Sequence, residues 1–230
     1  MSQPLSLQTA AQLLHSLEQR AQRSLLETHV GPFDRLNNGG LARGTMVELA
    51  GTLSSGRFAI ALAALISATR GGEAAALVDL GDHLEPRSAQ AAGLDLRRLL
   101  WVRPRSLKEA VMAAEMVLSA GFAVVVLDLG SRAIPLHRVP PSVWVRLARA
   151  AESHHSACLL LSPTPVRPVP ASAVITASAG RGLWQGEGAS PRLLSGISAR
   201  LSTVRRQGHA EASGGLSLGV RDQIEWKEGA

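Results

Sequence analysis

The stretch that most limits how this chain can fold is the loop at 51–58, which reads GTLSSGRF. An apolar run at 45–50 precedes it and an apolar segment at 59–69 follows it, which predicts a strand, a loop and a helix in that order. Phosphate-binding loops occupy this place, and their pattern is Gly, four residues, Gly, Lys and then Ser or Thr. The spacing of the two glycines fits, whereas Arg57 and Phe58 stand in the last two places.

The two substitutions change what such a loop can bind. In the standard loop the Lys reaches the outer phosphates and the hydroxyl holds magnesium. Arg57 keeps the positive charge, but its planar guanidinium is wider than an ammonium group. Phe58 removes the oxygen that magnesium requires. We therefore expect little or no nucleotide binding, hydrolysis that is absent or feeble, and no cofactor. An ordinary Gly/Ser turn before a helix is the alternative interpretation.

Two further apolar runs, at 75–79 and 122–128, each end in an aspartate. The second reads FAVVVLD, the outline of the strand whose terminal carboxylate supports the metal in phosphate-loop enzymes. Buried parallel strands also end in Asp by chance or to cap a helix, so the order of the three elements matters more than this one residue. The residues of the degenerate nucleotide site are Gly51, Ser54, Ser55, Gly56, Arg57, Phe58 and Asp128.

Several segments from Val30 onward resemble the RecA recombinase core. They are GPFDRL at 31–36, GGL at 39–41, GTMVELAG at 44–51, SSG at 54–56, LVD at 77–79, EP at 85–86, AGLD at 92–95 and LL at 99–100. The resemblance extends from about residue 30 to 220 and is weaker after residue 162. Within this superfamily the altered loop and the length are most similar to the ImuA (SulA-related) branch, which are accessory proteins of damage-induced mutagenesis.

The resemblance also identifies what this chain lacks relative to a recombinase. Gly81 stands where an acid would activate the attacking water, with Asp82 one place further on. Pro163 stands where a Gln would sense the terminal phosphate. The two loops that hold single-stranded DNA are shortened, to 133–141 and 164–170. We therefore expect a pseudo-ATPase without catalytic residues.

The whole pattern predicts an α/β fold: a RecA-like core with a mostly parallel central sheet, flanking helices and a C-terminal antiparallel extension. Further helices are expected at 107–118 and 142–153. Short alternating runs predict the antiparallel strands, and two Gly/Ser/Glu-rich stretches predict loops between them. These strands are expected at 174–177, 198–206 and 215–220, and the loops at 179–191 and 207–215.

The chain is expected to have three parts: an N-terminal interaction arm at 1–29, the core at 30–222 and a tail at 223–230. Apolar residues from Ser6 to Leu26 recur at intervals of three and four, which predicts an amphipathic helix. The resemblance suggests that this helix docks on a RecA protomer or on another copy of the chain, and packing on its own core stays open. The partner-binding candidates are Leu13, Leu14, Leu17, Leu25 and Trp226.

The formal net charge of +6 makes an anionic partner plausible. The candidate DNA contacts are Arg200, Arg205 and Arg206, although solvated arginine side chains are the simpler account of any single cluster. Only 3% of the residues are aromatic, which argues against base-stacking platforms. The single Cys allows no disulfide, and no metal is expected at His154 and His155. With no leader and no long apolar run, we expect a cytoplasmic, nucleoid-associated protein.

The resemblance implies a non-catalytic adaptor in translesion DNA synthesis. Its partners would be RecA and a Y-family-type polymerase homologue (ImuB-like), with an error-prone replicative-type polymerase nearby. Two alternatives belong to other classes. One is a DNA-stimulated ATPase or recombination mediator, which requires Arg57 to replace the missing Lys. The other is a SulA-like inhibitor of cell division.

Overall fold

The fold is given by a computed structural model, which describes residues 25–131, 139–166, 169–186, 193–206 and 213–219. Predictions for Leu13, Leu14, Leu17, Trp226 and the tail at 223–230 lie outside the described residues, as do the side chains of Arg205 and Arg206.

Strands and helices alternate along most of the described chain. The strands are β1 (Leu25–Leu26), β2 (Leu41–Ala42), β3 (Met46–Gly51), β4 (Ala75–Asp79), β5 (Leu99–Val102), β6 (Val124–Asp128), β7 (Ala157–Ser162), β8 (Ala173–Gln185), β9 (Leu193–Arg206) and β10 (Ser213–Gly219). The helices are α1 (Gly31–Leu36), α2 (Arg57–Arg70), α3 (Pro86–Ala91), α4 (Leu107–Ser119) and α5 (Pro141–Ser153).

One eight-stranded sheet organises the molecule, in the order β10-β9-β8-β3-β7-β6-β4-β5. The six strands from β8 to β5 are parallel, and β9 and β10 add antiparallel to the β8 edge. The strands β3, β4, β6 and β7 are buried along their whole length, as expected for parallel strands covered on both faces. The predicted fold class, with its C-terminal antiparallel extension, is confirmed.

Helices cover the sheet on both faces and define two apolar layers. Helix α2 packs on one face together with α1 and α3, where Phe33, Ile60 and Leu65 are fully buried. Helices α4 and α5 pack on the other face around Trp144 and Leu118. The carboxyl ends of the parallel strands therefore meet at one edge of a sheet whose two faces are covered by helices.

The C-terminal strands are longer than the sequence predicted. Strand β8 continues to Gln185, so the stretch from 179 to 185 is strand rather than loop, and Trp184 lies within it. Strand β9 correspondingly begins at Leu193. Gly180 and Gly182 in this stretch suggested a loop, but pairing of β8 with β9 overrides their weak strand propensity. From Ser178 onward every described residue of β8 is exposed, whereas Gly196 and Ala199 of β9 stay buried.

The predicted N-terminal helix does not extend to Leu26. Leu25 and Leu26 form β1, which pairs antiparallel with Ala42 and Leu41 of β2. Leu26 is buried in the α2 layer, and Thr28 donates a hydrogen bond to Asp34 of α1. These residues therefore pack with the core, ahead of the domain start expected at residue 30.

Within the part of the chain that is described, no helix combines the length and the apolar character needed to cross a membrane.

Candidate functional site

The loop at 51–58 joins the end of β3 to the start of α2, which is the strand, loop and helix order that the sequence predicted. Gly56 takes a φ of +83° as the residue before the helix, and Ser54 takes a φ of +59°. A Cβ atom at Gly51 would lie 2.5 Å from the carbonyl oxygen of Ala177 on β8, so only glycine fits where β3 meets its neighbour. The hydroxyl of Ser55 is buried and has no hydrogen-bond partner among the residues that the structure describes.

The side chain of Arg57 points back into the ends of the sheet strands. Its guanidinium group donates hydrogen bonds to the carbonyl oxygens of Gly51 at the end of β3 and of Ser162 at the end of β7, the latter at 2.9 Å. It also donates to the carbonyl oxygen of Gly130, just after β6. The residue is only 4% exposed. Three separate strand ends are thus joined by one side chain.

Arg57 also faces the acid that the sequence assigned to metal support. Its Nη2 atom lies 3.9 Å from Oδ1 of Asp128, which is fully buried. Burial lowers the pKa of the Arg57 guanidinium, and the Asp128 carboxylate opposes that shift. Oδ1 of Asp128 accepts a further hydrogen bond from the backbone N–H of Gly130 at 2.8 Å. The carboxylate is therefore compensated by groups of the protein itself.

His83 is the functional-site residue that the sequence analysis missed. Its Nδ1 atom lies 2.6 Å from Oδ2 of Asp128, and its ring contacts Phe58 edge-on with the centroids 5.7 Å apart. Phe58 offers no oxygen atom at this place and packs on the imidazole instead. The only sequence signal was a histidine four residues after Asp79, which is too common a spacing to single out.

The carboxylate of Asp79, at the end of β4, also accepts hydrogen bonds from groups of the protein. It accepts hydrogen bonds from the backbone N–H groups of His83 and Leu84, each at 3.0 Å, and from Nε1 of Trp101 at 3.1 Å. One possible metal-ligand atom from each of Asp79, His83 and Asp128 lies within 4.8 Å of the others. Among the described residues, these three form the cluster whose spacing suits a cation.

Asp82 does not face this cluster. It has a φ of +52° and is exposed, and it accepts hydrogen bonds from Nε and Nη2 of Arg103 at 2.9 and 2.8 Å. The Arg103 guanidinium in turn lies 4.9 Å from the centre of the Trp101 ring. A Cβ atom at Gly81 would come within 2.7 Å of the Gly130 Cα atom, so the backbone leaves no room for a side chain there.

The end of β7 is fixed by a buried acid rather than by a sensing amide. Oε1 of Glu48 accepts hydrogen bonds from the Ser162 hydroxyl and from the backbone N–H of Val166, both at 2.7 Å. Glu48 lies in β3, which pairs with β7, and is fully buried. Pro163 follows directly, so the turn after β7 is set by the Glu48 contacts.

The remaining predicted site residues are dispersed. Leu25 lies in β1, where it is half-buried, and Arg200 lies exposed in the middle of β9. The predicted DNA loop at 133–141 falls mostly outside the described residues, as do positions 167 and 168 of the second loop. His154 is the C-cap residue directly after α5, and His155 follows with a φ of +52°.

Comparison with known proteins agrees with this architecture. The crystal structure of the RadB recombinase superposes with a TM-score of 0.60 over 83% of this chain and 94% of that one, at 16% identity. Protein RecA of Salinispora tropica is 34% identical over 127 residues, which are 52% of this chain and 36% of the relative. Protein RecA of Corynebacterium urealyticum is 38% identical over 94 residues, 40% of this chain and 25% of the relative.

These matches extend over only about a third or less of the length of the RecA proteins. The family model for the RecA N-terminal domain matches residues 26–140, which include the phosphate loop, His83 and Asp128. That match spans half of the 230 residues, and the chain belongs to the RecA N-terminal domain family.

Proposed function

We propose that this protein is a non-catalytic RecA-like adaptor in damage-induced mutagenesis, acting in translesion DNA synthesis within the SOS response. The RecA relatives support a general role in DNA repair and recombination. The narrower proposal is supported above all by one observation, the inward direction of the Arg57 guanidinium. The guanidinium of Arg57 bonds to the strand ends and so holds the loop in a nucleotide-site conformation without a bound nucleotide.

The residues present do not fit a magnesium nucleotide of the usual kind. The cationic group of the loop is engaged with the carbonyl oxygens of Gly51, Ser162 and Gly130. Phe58 supplies no oxygen ligand, and Asp128 is hydrogen-bonded to His83. Binding ATP would require breaking the three Arg57 hydrogen bonds in a buried site, which costs several kcal/mol.

The place where a carboxylate would act as general base, at Gly81, likewise has no room for a side chain. Gly81 is packed against Gly130, and Asp82 is paired with Arg103 at the surface. General acid–base chemistry requires a carboxylate within hydrogen-bond reach of the attacking water. This arrangement favours an adaptor over the DNA-stimulated ATPase that the sequence left open.

The proposed partners are RecA, a Y-family-type polymerase homologue (ImuB-like) and an error-prone replicative-type polymerase. An exposed apolar groove of about 470 Å³ on α4 favours a protein partner, and we assign it to RecA. Met112 and Met116 line it and are 53% and 71% exposed, and exposed methionines adapt readily to an apolar partner surface. For contacts with the other partners, the proposed residues remain Leu13, Leu14, Leu17, Leu25 and Trp226.

The partner proposal is tested by gel filtration and calorimetric titration of the full chain with purified RecA and, separately, with the polymerase homologue. We expect a complex with each, and we expect Met116→Glu to weaken the RecA complex at least tenfold. Leu100→Glu is the matched control, because Leu100 is 40% exposed on the edge strand β5 and lies outside the groove.

Three results would overturn the proposal. The first is the absence of a complex with both partners. The second is ATP turnover that depends on single-stranded DNA and is lost in Asp128→Ala, which would assign an ATPase. The third is binding to the tubulin-like division protein instead, with filamentous cells on overexpression, which would assign a SulA-like inhibitor.

A further inference from the structure

Four large apolar side chains are exposed together where β8 ends and β9 begins. They are Leu183, Trp184, Leu193 and Leu194, which are between 38% and 68% exposed, and they belong to neither apolar layer of the core. We call residues 183–185 and 193–195, which pair across the two strands, the ribbon end. Single apolar residues scattered over a surface are ordinary, but an exposed group of this kind marks an interaction site.

The ribbon end is apolar on both of its faces. Successive residues of a strand point to opposite faces, so Leu183 and Trp184 lie on different sides of the ribbon. Trp184 shares its side with Leu194, its direct partner in the register. Leu193 pairs with Gln185 and therefore lies on the side of Leu183. A partner that buries all four side chains has to enclose the ribbon end in a cleft.

Neither edge of the ribbon end is paired with a third strand in the described chain. Strand β10 ends at Gly219, opposite Gly196, and β3 ends at Gly51, opposite Ala177. A two-stranded ribbon with no covered face is only marginally stable in water. Burial of its apolar side chains by a partner would therefore stabilise the ribbon end itself as well as the complex.

The indole ring of Trp184 is already held in place by its neighbours. A Cβ atom at Gly182 would lie 2.8 Å from Nε1 of Trp184 and 3.2 Å from Cδ1 of Leu194, so the ring lies over the bare backbone of Gly182 beside Leu194. A side chain that is ordered before binding loses less entropy in a complex. Trp is also among the residues that contribute most to the stability of protein interfaces.

The charges near the ribbon end favour an acidic partner. Arg181 is exposed, lies three residues before Trp184 and forms no ion pair with any residue that the structure describes. Strands β8 and β9 contain no aspartate or glutamate. The indole N–H of Trp184 donates to no described group, and it needs an acceptor once it is buried in a complex. Carboxylates at the edge of an apolar cleft would satisfy both groups.

The ribbon end is separate from the groove on α4 that Met112 and Met116 line. Helix α4 packs over β4 and β6, and strands β3 and β7 lie between β6 and β8. A partner bound at one surface therefore leaves the other accessible, which is what an adaptor that joins two proteins requires.

We propose that the ribbon end is a second docking surface of this chain, and that it binds a protein partner through an apolar cleft edged by carboxylates. The choice of partner rests on the proposed function. Because the groove on α4 is assigned to RecA, the ribbon end is assigned to the polymerase homologue.

Calorimetric titration of the full chain with the purified polymerase homologue, and separately with RecA, tests this assignment. We expect Trp184→Ser with Leu194→Ser to weaken the complex with the polymerase homologue at least tenfold and to leave the RecA complex unchanged. Met116→Glu should have the opposite pattern. Leu100→Ser is the matched control, because it removes an exposed apolar side chain from β5, at the other edge of the sheet. Circular dichroism checks that each variant is folded.

Two further variants separate position and charge from apolar content. Gly182→Ala keeps all four apolar side chains, but its Cβ atom displaces the indole ring, so it should weaken the same complex at least threefold. Arg181→Glu should weaken the complex at least tenfold at low salt and less at high salt, where ions screen the charge interaction. Arg87→Glu is the charge control, since Arg87 is exposed on α3, which follows β4 near the other end of the sheet.

The outcomes distinguish this inference from the proposed function. If the unaltered chain binds the polymerase homologue and the ribbon-end variants bind it equally well, the ribbon end is not the site and the adaptor proposal stands. If the unaltered chain binds RecA but not the polymerase homologue, the assigned partner is wrong. The absence of a complex with either protein overturns both proposals.

Other occupants of the ribbon end would give different results with Trp184→Ser and Leu194→Ser combined. Loss of the RecA complex in this variant would assign the ribbon end to RecA. Loss of a concentration-dependent dimer in gel filtration would assign it to a second copy of the chain. Loss of binding to vesicles of phosphatidylglycerol and phosphatidylcholine would assign it to a lipid surface. Each of these three results would overturn the proposal.

Discussion

The guanidinium of Arg57 joins the ends of three strands through one buried side chain. It lies between three carbonyl oxygens and 3.9 Å from the buried Asp128 carboxylate. A buried charge pair is costly to form but more costly to break, because the remaining charge is left without a partner. Stability of the loop should therefore depend strongly on this residue.

Replacing Arg57 with Met should destabilise the protein by about 3–5 kcal/mol, because Asp128 stays buried and three carbonyls lose their donor. Arg57→Lys should cost less, because the charge remains while fewer donors reach the carbonyls. Urea denaturation without nucleotide measures both. Arg97→Met is the control, since Arg97 is exposed and solvent screens its ion pair with Asp95. Equal losses for Arg57→Met and Arg97→Met would contradict the assigned role.

Cys158 gives a second test at the level of single residues. The thiol lies in the middle of β7, and burial raises its pKa to about 12. Thiolates rather than thiols react with disulfide reagents, so native protein at pH 8 should not react with Ellman's reagent until it unfolds. Stoichiometric labelling within minutes under native conditions would show that β7 is more accessible than its burial indicates.

Sequence alone was sufficient to identify Arg57 and Phe58 as departures from the phosphate-loop pattern. It did not reveal where the guanidinium points, because Gly130 and Ser162 are brought to the loop only by the parallel order of β3, β7 and β6. His83 was missed for the same reason. Its partner Asp128 is 45 residues away, and no local pattern connects them.

At the level of elements, the turn after β4 is shaped by the absence of a side chain at Gly81. Its Cα atom packs on that of Gly130, where the chain leaves β6. The two turns approach so closely that any side chain at Gly81 would have to displace backbone. The glycine is therefore part of how these two strand ends pack.

Gly81→Ala should destabilise the protein by about 1–3 kcal/mol, because the added Cβ atom overlaps the Gly130 backbone and the His83 ring. Thermal denaturation measures the loss. Gly72→Ala is the contrasting control: a Cβ atom there would meet no atom within 4 Å, although its φ of +83° adds some strain of its own. A Gly81→Ala variant as stable as the unaltered chain would show that the two turns separate easily.

The β8–β9 hairpin shows where sequence patterns failed for an element. Buried residues at 173–175 and 177 gave the strand its signal, while the exposed part from Ser178 to Gln185 has the composition of a loop. Exposed backbone pairs open at low free energy. We expect amides of β8 beyond Ser178 to exchange with solvent at least 100-fold faster than those at 173–177, as hydrogen-exchange spectroscopy would show. Uniform protection along β8 would contradict this division.

For the whole molecule, the alternation of parallel strands and helices followed from the sequence because its apolar runs are unambiguous, whereas the order of the strands in the sheet did not. The proposed function depends on the contacts at the ends of the strands. Arg57 makes three of them: the one to Gly51 lies within the loop, and those to Ser162 and Gly130 join residues that are far apart in the sequence. A RecA-family core whose nucleotide loop is closed from within is the central claim, and it underlies the proposed adaptor role.

A calorimetric titration of the full chain with ATP and magnesium tests that claim most directly. The account predicts no saturable heat, corresponding to a Kd above about 1 mM, with Arg57→Lys combined with Phe58→Thr as the variant in which binding could return. A saturating titration of the unaltered chain with a Kd near 1 μM or tighter, about 8 kcal/mol of binding free energy, would contradict it.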